Sequence, residues 1–224
     1  MSAATVASPP RVALDADCVV LHRVSWKTYE RLLADDEERR NPRISYDQGV
    51  MELVTPSMPH DEDADTIAEI VKIVAANLGV PLRSTGGRTF RRKDLERAFE
   101  ADASFYIQSQ ARIRGQREVD LLIDPPPDMV LEMEVSRSAF DKLRLFAGMG
   151  IPEVWRCNGE RVTIHLLSGE TYREAPASAA LPVLTREVLT RFLTLRRTML
   201  SHDWFQLVSD WAREQRDSPS IEQD

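Results

Sequence analysis

A chain of 224 residues, 42% hydrophobic and 29% charged, is long enough to bury one sizeable core and reads as an ordinary globular domain with extensions. Its net charge of −7 excludes a protein that coats nucleic acid through bulk electrostatics, while leaving room for a local basic rim around an acidic centre. Cys18 and Cys157 form no metal-ligand spacing and no disulfide framework, Met1–Pro10 lacks a secretory pattern, and no apolar run approaches the roughly 18 residues of a membrane span, so a cytoplasmic protein without a membrane partner is expected.

Residues 1–13 are small and Pro-containing and are expected to be a flexible N-terminus. Trp26, Tyr29, Leu32 and Leu33 recur at helical spacing behind Ser25, a suitable N-cap. A charged loop spans 35–42. Arg43–Tyr46 and Val50–Val54 flank Asp47-Gln48-Gly49, which predicts a β-hairpin ended by the prolines of 55–59. Ile67, Ile70, Val71, Val74 and Leu78 predict a helix closed by Gly79 and Pro81. Asp61, Glu62, Asp63 and Asp65 crowd its first turns, where they complement the helix dipole, and that account suffices for them.

Residues 83–90 read as a strand broken at Gly86-Gly87. Arg91, Arg92, Lys93 and Arg97 then form a dense basic cluster mixed with acids, either a solvated loop or a phosphate-facing one. Ala103–Ile107 predicts a short aromatic strand with Asp102 at its mouth, 108–115 a loop, and 118–123 an extended stretch. The run 129–136 predicts a strand bounded by a proline cluster and a serine. Ser138 and Asp141 resemble a capping box for a helix ending at Gly148 or Gly150. Strands at 153–157 and 161–167 flank the Asn158-Gly159 turn, and 169–182 reads as a loop. Helices are predicted over 185–195 and 203–213, the second with Trp204, Phe205, Leu207, Val208 and Trp211 on its apolar side, and 217–224 as a disordered tail. The order predicts a mixed α/β chain around one central sheet.

The chemistry concentrates on the 129–136 strand. Successive strand residues face opposite ways, so Met129, Leu131, Met133 and Val135 share one face, and Val130, Glu132 and Glu134 the other. Two carboxylates on one face of a core strand are costly unless something cationic binds there, and a divalent metal ion fits; an edge strand with a wet face, serving structure or protein contact, is the plain alternative. Magnesium takes one or two carboxylates with waters and phosphate oxygens. Asp128 is four residues from Glu132, about 13 Å along a strand, too far to share an ion readily. Asp102 meets Glu132 at about 4.8 Å strand spacing if its strand pairs alongside, and is the preferred second ligand. Lys142, in the first turn of the following helix, is placed to fold its ammonium back over these acids, although alone it reads as a surface lysine.

Glu100-Ala101-Asp102, Pro127 to Glu134, Lys142 to Phe146 and Gly150-Ile151-Pro152-Glu153-Val154-Trp155 together resemble the Uma-type endonuclease family, a branch of the PD-(D/E)XK restriction-endonuclease-like superfamily. The likeness runs from about Ser25 to about Phe192 and includes 49–56 and 90–96. It implies a restriction-endonuclease-like domain over 14–200, a central mixed sheet flanked by helices, and hydrolysis of DNA with Mg2+, Mn2+ being an alternative ion. By that resemblance Asp102 and Glu132 hold the metal, Lys142 either supplies the catalytic cation from the helix or leaves the site weakened, Glu134 orients the attacking water or serves a second metal position, and Glu52 and His60 match further family positions. Glu134 stands where the superfamily pattern has lysine. Lys142 therefore decides between a metal-dependent endonuclease and a catalytically weakened nucleic-acid-binding module. The helix at 201–216 is expected to pack on the core or on the partner in a homodimer, whose two-fold symmetry would suit cutting both strands.

Overall fold

The computed structural model describes residues 17–35, 41–135 and 138–217; the expectations for 1–13, for most of the 35–42 loop, for the tail beyond Asp217 and for the strand end at Ser136 lie outside the described residues. The described residues begin with β1 (Asp17–His22), α1 (Trp26–Ala34), β2 (Arg43–Asp47), β3 (Val50–Thr55) and α2 (Met58–Leu78). Four short strands follow: β4 (Arg83–Ser84), β5 (Thr89–Arg92), β6 (Arg97–Glu100) and β7 (Ala103–Tyr106). Then come β8 (Met129–Met133), α3 (Lys142–Gly148), β9 (Glu153–Cys157), β10 (Val162–Ser168), β11 (Thr171–Ala175), α4 (Arg186–Arg196) and α5 (Ser201–Asp217).

Strand β8 is buried along its whole length, and its alternation sets the layers. Met129, Leu131 and Met133 face a core shared with Ile67, Ile70 and Val74 of α2, Phe192 of α4 and Trp204 of α5. Val130 faces the opposite core, with Phe99 of β6, Val154 of β9 and Phe146 of α3. The sheet order is β11-β10-β9-β8-β7-β4, antiparallel except for the parallel β8–β9 pair that α3 connects. This is the mixed sheet flanked by helices that the sequence predicts.

A second sheet, β1-β3-β2-β6-β5, lies beside it, so the single-sheet expectation is incomplete. Its strands β5 and β6 flank the charged 93–96 turn, and each is only four residues long with charged ends, too short to show a period-2 signal. The β2–β3 hairpin turns through Gln48 at φ 47° and Gly49 at φ 96°, the doubly left-handed turn that favours glycine at its second position. Helix α1, capped by the Ser25 hydroxyl on the Thr28 N–H, packs Trp26 and Tyr29 against Ile44 and Tyr46 of this sheet.

Three local expectations are corrected. Residues 118–123 form a turn, because the Asp120 and Asp124 carboxylates capture the backbone N–H groups of Leu122 and Asp120. The 169–182 loop contains β11, whose mostly exposed sequence Thr-Tyr-Arg-Glu-Ala carries little strand signal. Asp141, not Ser138, caps α3 by accepting the Arg144 N–H at 3.0 Å. The Ser138 hydroxyl is engaged by Glu52 instead. Helix α5 lies along α2 and buries Trp204, Val208 and Ala212. No described helix is long and apolar enough to cross a membrane.

Candidate active site

The site forms where the β2–β3 hairpin of the second sheet meets β7 and β8 of the first. Glu132 shares the face of Val130 and is only 8% exposed. Its Oε1 lies 2.9 Å from Lys142 Nζ, while its Oε2 is buried with no hydrogen-bond partner among the described residues. Lys142 is the first residue of α3, and its ammonium also lies 3.0 Å from Glu52 Oε2 and donates to Ser45 Oγ at 2.9 Å. Ser45 and Glu52 are cross-strand partners in the hairpin, so the turn at Gln48-Gly49 sets both in register. Ser138 donates its hydroxyl to Glu52 Oε1.

Burial pushes the Glu132 carboxyl up against the pull of Lys142. Burial also works against the Lys142 ammonium, but Glu132 and Glu52 outweigh it and hold its pKa above the ordinary lysine value. Lys142 is thus a fixed cation, not a proton acceptor near neutral pH.

Asp102 brackets Glu132 from the neighbouring strand. Its backbone N–H donates to the Leu131 carbonyl at 3.1 Å, and its Oδ2 accepts the Met133 N–H at 2.6 Å. Its Oδ1 is paired with Arg43 of β2, which also donates to Asp61 Oδ1 at 2.8 Å, and His60 Nε2 stands 3.8 Å away. Burial and the neighbouring Arg43 lower the His60 pKa to about 4, so its imidazole is neutral at pH 7. Three buried carboxylates, Asp102, Glu132 and Glu52, therefore face two cations, Arg43 and Lys142.

Two clefts open here. The smaller, about 110 Å³, is lined by Glu132, Lys142, Glu52, Glu134 and Arg156. Glu134 is 35% exposed at its side chain and pairs with Arg156 at 3.4 Å. The larger, about 380 Å³ and mostly polar, is lined by Asp102, Arg43, Lys72, Thr89, Gly86 and Gly87. Among the described residues no group of three or more His, Cys, Asp or Glu side chains forms a ready metal cage. A magnesium-type ion does not require one, because one or two carboxylates suffice when water and phosphate complete its shell.

Residues 26–196 match the family Uma2, described as "Putative restriction endonuclease". The chain belongs to this family. No curated protein matches. A crystal structure described as "a putative nuclease belonging to DUF820 from Anabaena variabilis" is 14% identical, with 76% of this Uma2 chain and 99% of that chain covered and a TM-score of 0.49.

In this Uma2 protein Asp102, Glu132, Lys142, Glu52 and His60 converge between the two sheets, and Glu134 stands at the rim. Asp128 is far from them in role: its carboxylate accepts the Ile107 and Ser109 N–H groups and the Ser109 hydroxyl, stapling the 107–109 turn to the start of β8. The 91–97 cations are largely engaged by protein, Arg92 by Asp94, Lys93 by Glu30 and Arg97 by Asp47. Sequence reasoning misses Arg43, Ser45 and Arg156, and reads Ser138 only as a cap. Arg43 and Ser45 alternate on a short strand whose neighbours Ile44 and Tyr46 are apolar, and that polar row is the available signal.

Proposed function

We propose that the protein is a divalent-cation-dependent endonuclease that hydrolyses DNA phosphodiester bonds, with Asp102 and Glu132 as the carboxylates that would hold Mg2+ or Mn2+. The observation that carries this reading is the buried Oε2 of Glu132, without a hydrogen-bond partner among the described residues, in a cluster where the described carboxylates Asp102, Glu132 and Glu52 outnumber the cations Arg43 and Lys142. A hard cation is the natural complement of that excess. When bound, such an ion polarises a phosphoryl oxygen and lowers the pKa of its water.

The chain's own groups divide the remaining work. Lys142 stays protonated and, pointed into the smaller cleft, offers its ammonium to the negative charge that builds on the phosphoryl oxygens during attack. Glu52 and Ser45 fix that ammonium from the hairpin. Asp102 is oriented by the Met133 N–H, so its carboxylate is positioned before any ligand arrives. Glu134, at the rim opposite Arg156, orients the attacking water. In this scheme Lys142 takes over the part that the superfamily lysine would play at position 134. The delivery of Lys142 to 2.9 Å from Glu132 supports the enzyme over the weakened binding module.

The test is nicking of supercoiled plasmid. Turnover is expected with Mg2+ or Mn2+, lost in EDTA, and lost in Asp102→Asn and Glu132→Gln variants whose circular dichroism matches wild type. Unchanged activity in both variants, or no turnover with any divalent ion, overturns the reading.

A further inference from the structure

The 91–97 cluster that the sequence offers for phosphate contact is mostly neutralised, but a different basic surface is free. Residues 83–117 carry nine Lys and Arg against four Asp and Glu, a local net charge of +5 in a chain of net −7. Within this stretch Arg88, Arg112, Arg114 and Arg117 are exposed, and among the described residues none of them is in an ion pair.

These arginines sit on two loops tied to each other and to the site. Arg88 Nη1 donates to the Arg117 carbonyl at 3.2 Å, and Arg83 Nη2 donates to the Gln116 carbonyl at 2.6 Å. The turn that carries Arg88 abuts Asp102: a Cβ on Gly87 would stand 3.2 Å from the Ala101 carbonyl, and Gly86, Gly87 and Asp102 line the same 380 Å³ cleft. The rim therefore borders the entrance to a candidate metal carboxylate.

An apolar tip projects from the same rim. Leu122 and Ile123 are 60% and 76% exposed. They are held out by a stiff turn in which Asp124 Oδ1 accepts from Gln116 Nε2 at 3.2 Å and Asp120 Oδ1 accepts the Leu122 N–H at 3.0 Å, while Leu121 anchors in the core. Asp120 and Asp124 are thereby occupied by the turn itself, and Glu118 is an exposed acid between the arginines and the tip.

We propose that this rim docks duplex DNA, with Arg88, Arg112 and Arg117 on backbone phosphates and Leu122 and Ile123 pressed as a wedge against a base step. Exposed cations outside any ion pair suit phosphates, and paired apolar side chains on a hydrogen-bonded turn suit partial unstacking from the minor groove. The inference rests on the nuclease reading and supplies the path by which the duplex reaches Asp102.

Fluorescence anisotropy of a labelled 20-base-pair duplex in EDTA, titrated over salt, tests it. Arg112→Ser with Arg117→Ser should weaken binding at least tenfold at 0.1 M salt and flatten the log–log salt slope by about 2, since each phosphate contact contributes about 0.9. Leu122→Ala with Ile123→Ala should leave the slope unchanged, weaken binding several-fold, and abolish the fluorescence rise of a 2-aminopurine in the duplex on binding. All four positions are surface side chains, so the fold should persist, as circular dichroism checks. Wild-type affinity in both double variants overturns the proposal, as does a preference for single strands or RNA. If the variants lose binding while wild type never cleaves, the rim stands and the nuclease reading fails. If wild type cleaves and the variants bind normally, the reverse holds.

Discussion

The two ends of β8 each hold carboxylates, and they treat them differently. At the start, Asp128 is satisfied by neutral donors: two backbone N–H groups and a hydroxyl within 3.0 Å. At the end, Glu132, Asp102 and Glu52 are held chiefly by Lys142 and Arg43. Neutral donors complete a carboxylate without cancelling its charge, and they are part of the folded backbone. Cations cancel charge, and another cation can replace or join them. One end of the strand is a structural staple; the other is the end at which we propose that a metal ion joins the protein's own cations.

The largest effect that would break this comparison is catalytic. Glu132→Gln is expected to reduce Mg2+-dependent nicking by about a thousandfold, roughly 4 kcal/mol of transition-state stabilisation. Asp128→Asn should retain most of its turnover. Equal losses in both variants would erase the distinction between the ends.

The next effect concerns the fixed cation. Lys142→Met leaves Glu52 and Glu132 buried without their counter-charge and should cost about 3–5 kcal/mol in urea unfolding without metal. Because the residual charge is then more negative, millimolar Mg2+ should recover more stability in this variant than in wild type. Equal Mg2+ responses would mean that the cluster does not bind the ion.

Part of this contrast is legible in the sequence. The period-2 pattern puts Glu132 on the face opposite Leu131 and Met133, and the strand spacing excludes Asp128 and brings in Asp102. Lys142 is visible as the first residue of a capped helix. The hairpin's contribution is not legible in the same way. Arg43 and Ser45 reach the site only because a second sheet folds over the first, and no local pattern reports that long-range packing. The basic rim is hidden for a related reason. Linear charge density marks 91–97, but pairing of Arg92, Lys93 and Arg97 to Asp94, Glu30 and Asp47 is a tertiary fact, and among the described residues Arg88, Arg112 and Arg117 are in no ion pair.

A smaller effect follows from His60, which faces Arg43, Asp61, Asp102 and Lys142. Its folded pKa of about 4 lies below the ordinary value of 6.5, so the unfolded chain binds the proton more readily between these pH values. The stability that His60 contributes to the metal-free protein is therefore fully present above pH 6.5 and is lost as pH drops toward 4, by at most about 3 kcal/mol. His60→Asn should flatten that part of the profile in urea titrations; an unchanged slope would place the acid sensitivity in the carboxylates instead.

The smallest expected effect sharpens the staple end. Asp128→Asn keeps the shape and one acceptor oxygen but must present an NH2 where the Ile107 and Ser109 N–H groups or the Ser109 hydroxyl need an acceptor. One of those bonds is lost, a cost of about 1–2 kcal/mol in thermal or urea unfolding. Mg2+ should not recover any of it, because among the described residues no cation pairs with Asp128 and none needs replacing. A metal-dependent rescue at Asp128 would show that the start of β8 also exchanges partners, and the two ends would then differ in degree alone.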